Sequence, residues 1–264
     1  VVEQIKRLVG NGYNEIVLTG VDTTSYGGDL PGNQSLGTLV QQVLTHVPDL
    51  PRLRLSSIDS IEVDKPLREA IASEKRFMPH LHLSLQSGDN MILKRMKRRH
   101  LRAHTVAFCE DMRALRPDMA FGADIMAGFP TETDEMFENS RSIIAEIGIA
   151  YAHIFPFSPR PATPAAKMPQ VERAIVKQRA AKLRKAAGQA LDRHLQNQIG
   201  HSVNVLLERK TSEGGWTAHS ENFTPVWIDD HNYKAGQVVQ AVISKVDNKM
   251  AHLQPHRKPS DKTR

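Results

Sequence analysis

Across its first two thirds the chain switches repeatedly between two apolar periods, one of two residues and one near 3.6. Glu15 to Gly20, Arg52 to Ser57, His80 to Gln86, Ala120 to Ala127 and Ala150 to Phe157 are short and β-like. Val2 to Val9, Leu36 to Val47, Asp64 to Ser73, Ala103 to Leu115 and Thr133 to Ile147 repeat their apolar residues at helical spacing. Gly10 and Gly12 stop the first of these helices. Strands separated by single helices pair in parallel through right-handed crossovers. The reading is an α/β chain of five strands and four complete crossovers, opened by a helix whose own preceding strand is missing. A partial (β/α) barrel suits this order better than a doubly wound sheet, although periodicity alone does not choose between them.

The pattern changes near Phe157. Pro159, Pro161 and Pro164 interrupt any regular element. Val171 to Ile199 then reads as one long helix, weakened only at Gly188, and after Gly200 the helical period disappears. About five short alternating runs between turn signals predict a small all-β barrel or sandwich. The expected organisation is an incomplete α/β barrel over 1–170, a basic connecting helix over 171–199, a β domain over 200–256 and a frayed basic tail over 257–264. With 40% hydrophobic residues among 264, the chain can bury a sizeable core. No apolar run approaches the roughly 18 residues of a membrane span, nothing at the start has the pattern of a secretory signal, and a single cysteine suits a reducing cytosol, so a cytoplasmic protein is expected. One cysteine, Cys109, excludes a disulfide framework and any iron–sulfur or zinc site built from this chain's own thiolates. Mid-helix and isolated, it reads as core filler.

Polar residues gather where the strands end. Thr19 to Gly27, Ser56 to Ser60, the stripe His82, Ser84 and Gln86, and Ala123 to Thr133 all fall at C-terminal strand ends, the rim on which parallel α/β barrels build their sites. Taken singly, each is explained by turn and cap chemistry, with Asp89 and either Thr131 or Thr133 as good helix N-caps. The stripe is harder to explain that way, because three polar side chains on one strand face bury badly unless a polar ligand or water meets them.

Gly20-Val-Asp-Thr-Thr-Ser-Tyr-Gly, Leu55-Ser-Ser-Ile-Asp, His82-Leu-Ser-Leu-Gln-Ser-Gly, Leu93-Lys-Arg-Met-Lys-Arg-Arg and Asp124-Ile-Met-Ala-Gly-Phe-Pro-Thr-Glu-Thr together resemble the radical-SAM methylthiotransferases. Phe157-Ser-Pro-Arg-Pro-Ala-Thr-Pro-Ala-Ala continues the likeness, and the β-rich end resembles their closing TRAM domain. Ser-Ser-Ile-Asp and Met-Lys-Arg-Arg are most similar to the branch acting on N6-threonylcarbamoyladenosine. The resemblance implies 2-methylthio addition to adenosine 37 of tRNA, with S-adenosylmethionine and two 4Fe-4S clusters as cofactors. In that family one cluster sits on a cysteine loop just before the helix that opens this chain, and the other is held by an N-terminal domain. With neither in this sequence, it reads as an N-terminally truncated, inactive fragment of an enzyme. By the same resemblance Gly20 and Asp22 meet the methionine end of the cofactor, Ser84 and Gln86 its ribose, and Ile125, Gly128 and Glu132 shape a loop against its adenine. Thr131 stands where many relatives carry glycine, a departure that bears on the path of that loop.

Net charge is +6, and its distribution points to RNA. Lys94, Arg95, Lys97, Arg98, Arg99 and Arg102 form one acid-free run, and Arg173, Lys177, Arg179, Lys182, Arg184, Lys185 and Arg193 line the long helix. The candidates for phosphate contact are Lys94, Lys97, Arg98, Arg99, Arg160, Lys182, Arg184 and Lys185. For Arg160 the alternatives are the cofactor carboxylate and a solvated loop position. Trp216, Phe223, Trp227 and Tyr233 are candidates to stack on unpaired bases. Two other readings remain at this point: a methylthiotransferase for a ribosomal protein, and a non-catalytic RNA-binding remnant.

Overall fold

The computed structural model describes residues 1–20, 22–23, 25–212, 214–229 and 232–255. The first half alternates α1 (Val2–Gly10), β1 (Glu15–Leu18), α2 (Leu36–His46), β2 (Arg52–Leu55), β3 (Ser57–Ile58) and α3 (Lys65–Ser73). It continues with β4 (His80–Gln86), α4 (Asn90–Arg95), α5 (Arg102–Leu115), β5 (Ala120–Ala127), α6 (Asp134–Glu146) and β6 (Ile149–Pro156). Every strand pair is parallel, β1 with β2 and β3 through β6 in chain order. The expected strand Arg52 to Ser57 is in fact two. It breaks at Ser56, whose amide donates to the Leu18 carbonyl at 2.9 Å, and β2 and β3 serve separate sheets.

Alternation gives these strands two unlike faces. Leu81, Leu83, Leu85, Phe121, Ala123, Ile125 and Ile149 join Cys109 and Met112 of α5 and Ile143 of α6 in one core beneath the helices. The opposite face carries Glu15, Arg52, Arg54, His80, His82, Ser84, Gln86, Asp124, Tyr151 and His153. Helix starts follow from local chemistry. Ser35, Asp64, Asp89 and Thr133 each accept a backbone N–H of the first turn that would otherwise lack a partner.

After the proline-rich segment, α7 (Arg173–Gln198) packs on β6 and α6 and leads to β7 (Ser202–Lys210), β8 (Trp216–His219), β9 (Pro225–Ile228), β10 (Val238–Asp247) and β11 (Met250–Pro255). These five close into a barrel around Val205, Leu207, Ala218, Val226, Ile228, Ala241, Ile243 and Ala251. The expected tail lies outside the described residues.

The β8–β9 turn fills the N-terminal end of the polar strand face. Arg52 donates to the carbonyls of Asn204 and Ser220 at 3.0 and 3.1 Å, and Arg54 donates to that of Glu221 at 3.1 Å. Both arginines are 3% exposed, and both pair with Glu15, at 2.7 and 3.1 Å. Burial alone would raise the Glu15 carboxyl, but the two guanidiniums outweigh it and hold it below the usual carboxylate range. Phe223 lies between the rings of His80 and His219, at centroid distances of 4.7 and 4.4 Å, with Arg54 5.0 Å from its centre. Tyr151 Oη lies 3.0 Å from His194 Nε2 and 3.3 Å from Thr224 Oγ1. One end of the strand face is therefore closed by protein, and the C-terminal end is left open.

Candidate functional site at the C-terminal strand ends

The expected rim segments do fall at this open end. Gly20 and Asp22 follow β1, and Thr23 Oγ1 donates to the Ser57 carbonyl at 2.6 Å, tying the first loop to β3. On β4, His82, Ser84 and Gln86 are half-buried while the residues between them are buried, as a one-faced stripe requires. Asp22 and Ser84 line one cavity of 240 Å³ together with Ser57, Lys97, Arg98 and Arg99. Two groups of residues selected for different reasons, cofactor and phosphate, thus meet around the same space. The Ser87-Gly88-Asp89 segment is turn and cap chemistry. Ser87 and Gly88 bond to Ser140, and Asp89 accepts from the amides of Met91 and Ile92 at 2.9 and 3.0 Å.

Ile125, Gly128 and Glu132 occupy different environments. The Ile125 side chain is fully buried on the helix side, next to Gln86 by strand register, so only its backbone meets the rim. Gly128 has φ +74°, and a Cβ there would sit 2.5 Å from Val176 Cγ2 of α7. Glu132 points inward with its side chain 1% exposed. One of its carboxylate oxygens accepts from the Gly128 amide at 3.0 Å and from Arg179 at 2.9 Å. Burial raises the Glu132 carboxyl above its ordinary value despite these donors. The chain between Gly128 and Glu132 is thereby latched to α7.

On the same polar face, Asp124 Oδ1 lies 3.0 Å from His82 Nε2 and 3.3 Å from His153 Nδ1. Hydrogen bonding to His82, with the charge of both imidazoles, holds the Asp124 carboxyl low. The sequence had singled out His82 within its stripe, but Asp124 only as part of a motif. His153 was missed, and the alternation of β6 is the signal that would have found it.

Of the phosphate candidates, Lys94, Lys97, Arg99, Arg160, Lys182, Arg184 and Lys185 are exposed and Arg98 is half-buried. Arg99 is paired with Glu62. Arg184 lines a second cavity, of 770 Å³, with Arg173, Lys177, Phe157 and Val176 at the C-terminal end of β6. Two cations counted in the basic runs are structural. Arg102 pairs with Glu146 and donates to the carbonyls of Gly88 and Asn139, and Arg179 is 5% exposed between Glu132 and Asp134. The aromatic expectation is corrected as well. Trp216 is in the β-barrel core, Tyr233 packs against it, and Phe223 is the stacked plug at the junction. Trp227 is half-buried against His252, with Val226 and Ile228 as the core members of its trio.

An iron–sulfur cluster does not fit the residues of this chain. Its one cysteine, Cys109, is fully buried in α5 on the helix side, and burial pushes its thiol up to about 12. The open polar rim does fit a hydroxyl-rich, charged ligand such as S-adenosylmethionine, since it offers the Ser57 and Ser84 hydroxyls, the Asp22 carboxylate and nearby cations around one cavity.

Parallel strands, crossover helices and a polar C-terminal rim define an α/β barrel-type enzyme scaffold. The family model for the radical SAM superfamily matches residues 1–143, and the chain belongs to that superfamily. A protein from Rickettsia prowazekii, named threonylcarbamoyladenosine tRNA methylthiotransferase MtaB, is 49% identical over 94% of this chain and 57% of its own length. Its namesake from Chlamydia pneumoniae is 35% identical over 86% of this chain and 53% of its own. A tRNA-2-methylthio-N(6)-dimethylallyladenosine synthase from Erythrobacter litoralis is 33% identical over 90% and 54%. The chain spans about half the length of these relatives. Among solved structures, the archaeal Methanocaldococcus infernus Elp3 is 12% identical, with a TM-score of 0.47 over 97% of this chain and 74% of that one.

Proposed function

We propose that this chain is the cofactor- and RNA-facing part of a cytoplasmic tRNA methylthiotransferase that adds a 2-methylthio group to N6-threonylcarbamoyladenosine at position 37. The observation that carries the reading is the shared cavity, in which Asp22 and Ser84 face the same space as Lys97 and Arg98. A site that modifies a nucleotide has to bring its cofactor and the backbone of its RNA to one place. The 49% identity to a relative named for this nucleoside supports the choice of substrate. The barrel over 1–170, the connecting helix over 171–199 and the β domain over 200–256 act as successive units in this reading.

S-adenosylmethionine, when bound, supplies the radical and methyl chemistry. The role of this chain is to hold it. Asp22 and the Gly20 backbone take its charged end, and Ser84 and Gln86 its ribose. The loop from Ile125 through Gly128 flanks its base, with Glu132 acting indirectly by fixing that loop. Lys94, Lys97, Arg98, Arg99 and Arg160, with Lys182, Arg184 and Lys185 on α7, meet phosphate. A single buried thiol leaves this chain without cluster ligands, so catalysis is not expected of it alone.

Phosphate contact releases counterions, so tRNA affinity should fall steeply with salt. Lys97→Ala with Arg98→Ala tests this, while Arg99 is left in place to neutralise Glu62. The expected result is weaker binding and a salt slope flatter by roughly 1.5 log units per decade. Wild-type affinity with an unchanged slope would remove this run from the RNA interface.

A further inference from the structure

The polar strand face holds one arrangement that the proposed function does not use. His82, Asp124 and His153 stand on adjacent parallel strands, where register pairs His82 with Gly122 and Asp124 with His153. Alternation turns all three side chains to the same face, away from the helices. Each offers one donor atom, and these atoms lie within 4.8 Å of one another. The imidazole rings are 5.0 Å apart and inclined by 38°, so they converge on the carboxylate without stacking face to face.

Gly122 helps to set this up. A Cβ at that position would lie 2.5 Å from His82 Nδ1, so any larger residue would push the ring out of place. The lack of a side chain lets the imidazole lie against β5 with Nε2 turned to Asp124.

We propose that His82, Asp124 and His153 form a mononuclear site for a divalent first-row transition metal ion, separate from any iron–sulfur cluster. Ligand bonds of about 2.0–2.2 Å put neighbouring donors roughly 2.8–3.6 Å apart across octahedral and tetrahedral geometry. The separations from Asp124 Oδ1 to His82 Nε2 and His153 Nδ1, 3.0 and 3.3 Å, fall in that interval. Two imidazoles and one carboxylate on one side of an ion leave its other positions open, the pattern of a site that keeps room for water or substrate. The His153 side chain is 63% exposed, so the open side faces solvent and not the core.

Cobalt(II) is the probe. Titrated into the chelator-treated full chain, it should saturate at one equivalent and give the visible bands of a nitrogen- and oxygen-ligated ion, without a thiolate charge-transfer band. His153→Ala removes an exposed ring and is expected to fold normally, which circular dichroism checks. It should weaken binding by at least about tenfold, and Asp124→Asn should do the same. His46→Ala, on the exposed face of α2, should bind as wild type does. The absence of saturable binding, wild-type affinity in His153→Ala, or an equal loss in His46→Ala would each overturn the proposal.

Discussion

Gly128 and Thr131 both hold left-handed backbone, at φ +74° and +66°, but only Thr131 carries a β-branched side chain there. The sequence hinted at this loop, because Thr131 stands where the family resemblance implies glycine. Gly128→Ala should be costly on two counts. Left-handed backbone adds about 1–2 kcal/mol, and forcing a methyl against stiff Val176 adds about 1–3 more. Thr131→Gly relieves its backbone but loosens the unfolded chain, so stability should stay level or rise by up to about 1 kcal/mol. Urea unfolding of both variants is the check. A Gly128→Ala protein as stable as wild type would mean that loop and helix are not in close approach. Other single residues were plain from the sequence alone. Cys109 is core, and Asp89 and Thr133 cap helices, because lone apolar thiols and caps owe their roles to near neighbours.

At the level of elements, the strands and helices were legible because each obeys a local period, whereas their pairings across the molecule were not. Helix α7 shows the difference. Its length was clear from the sequence, but Arg179 read as one of seven cations in a run pointing to RNA. Its partner, Glu132, is 47 residues away and leaves no mark near it. One signal was available, since Arg179 falls on the same helical face as Val176, Ala180, Leu183 and Ala187, all buried. The latch predicts a specific energetic pattern. Glu132→Ala leaves the buried Arg179 guanidinium with the exposed Asp134 as its remaining carboxylate and should cost about 3 kcal/mol, the lower end of the range for breaking a buried pair. Adding Arg179→Met removes that under-compensated charge, so the double variant should recover part of the loss. A double variant whose loss equals the sum of the two single losses would show that the residues do not act as a pair. Because Glu132 also holds the Gly128 amide, the same variants should loosen the rim.

In the whole molecule, the β-barrel stops up one end of the strand face, and this was the part least visible beforehand. Arg52 and Arg54 alternate with leucines, a pattern that singles out neither, and their acceptors across the junction are backbone carbonyls, which leave no sequence trace. His80 is the centre of that junction. It is 5% exposed, stacked on Phe223, and neither ring nitrogen has a hydrogen-bond partner among the described residues. Burial, helped by nearby Arg54, pushes it down to about 3, whereas the unfolded chain titrates near 6.5. Between those values the unfolded state binds a proton that the folded state does not. The stabilising contribution of neutral His80 is therefore complete above about pH 6.5 and shrinks as pH falls towards 3, by about 1.4 kcal/mol per pH unit at most. His194, lowered to about 4 mainly by burial, works in the same direction. Glu15 is held low, so its contribution is lost only under more acidic conditions than pH 5. Unfolding free energy should thus drop between pH 7 and pH 5, by roughly 2 kcal/mol through His80 alone. His80→Phe keeps an aromatic ring against Phe223 and cannot take up a proton, so its stability should vary much less over that interval. If the variant lost as much stability as wild type between pH 7 and pH 5, His80 would not be the group that makes this junction sensitive to acid.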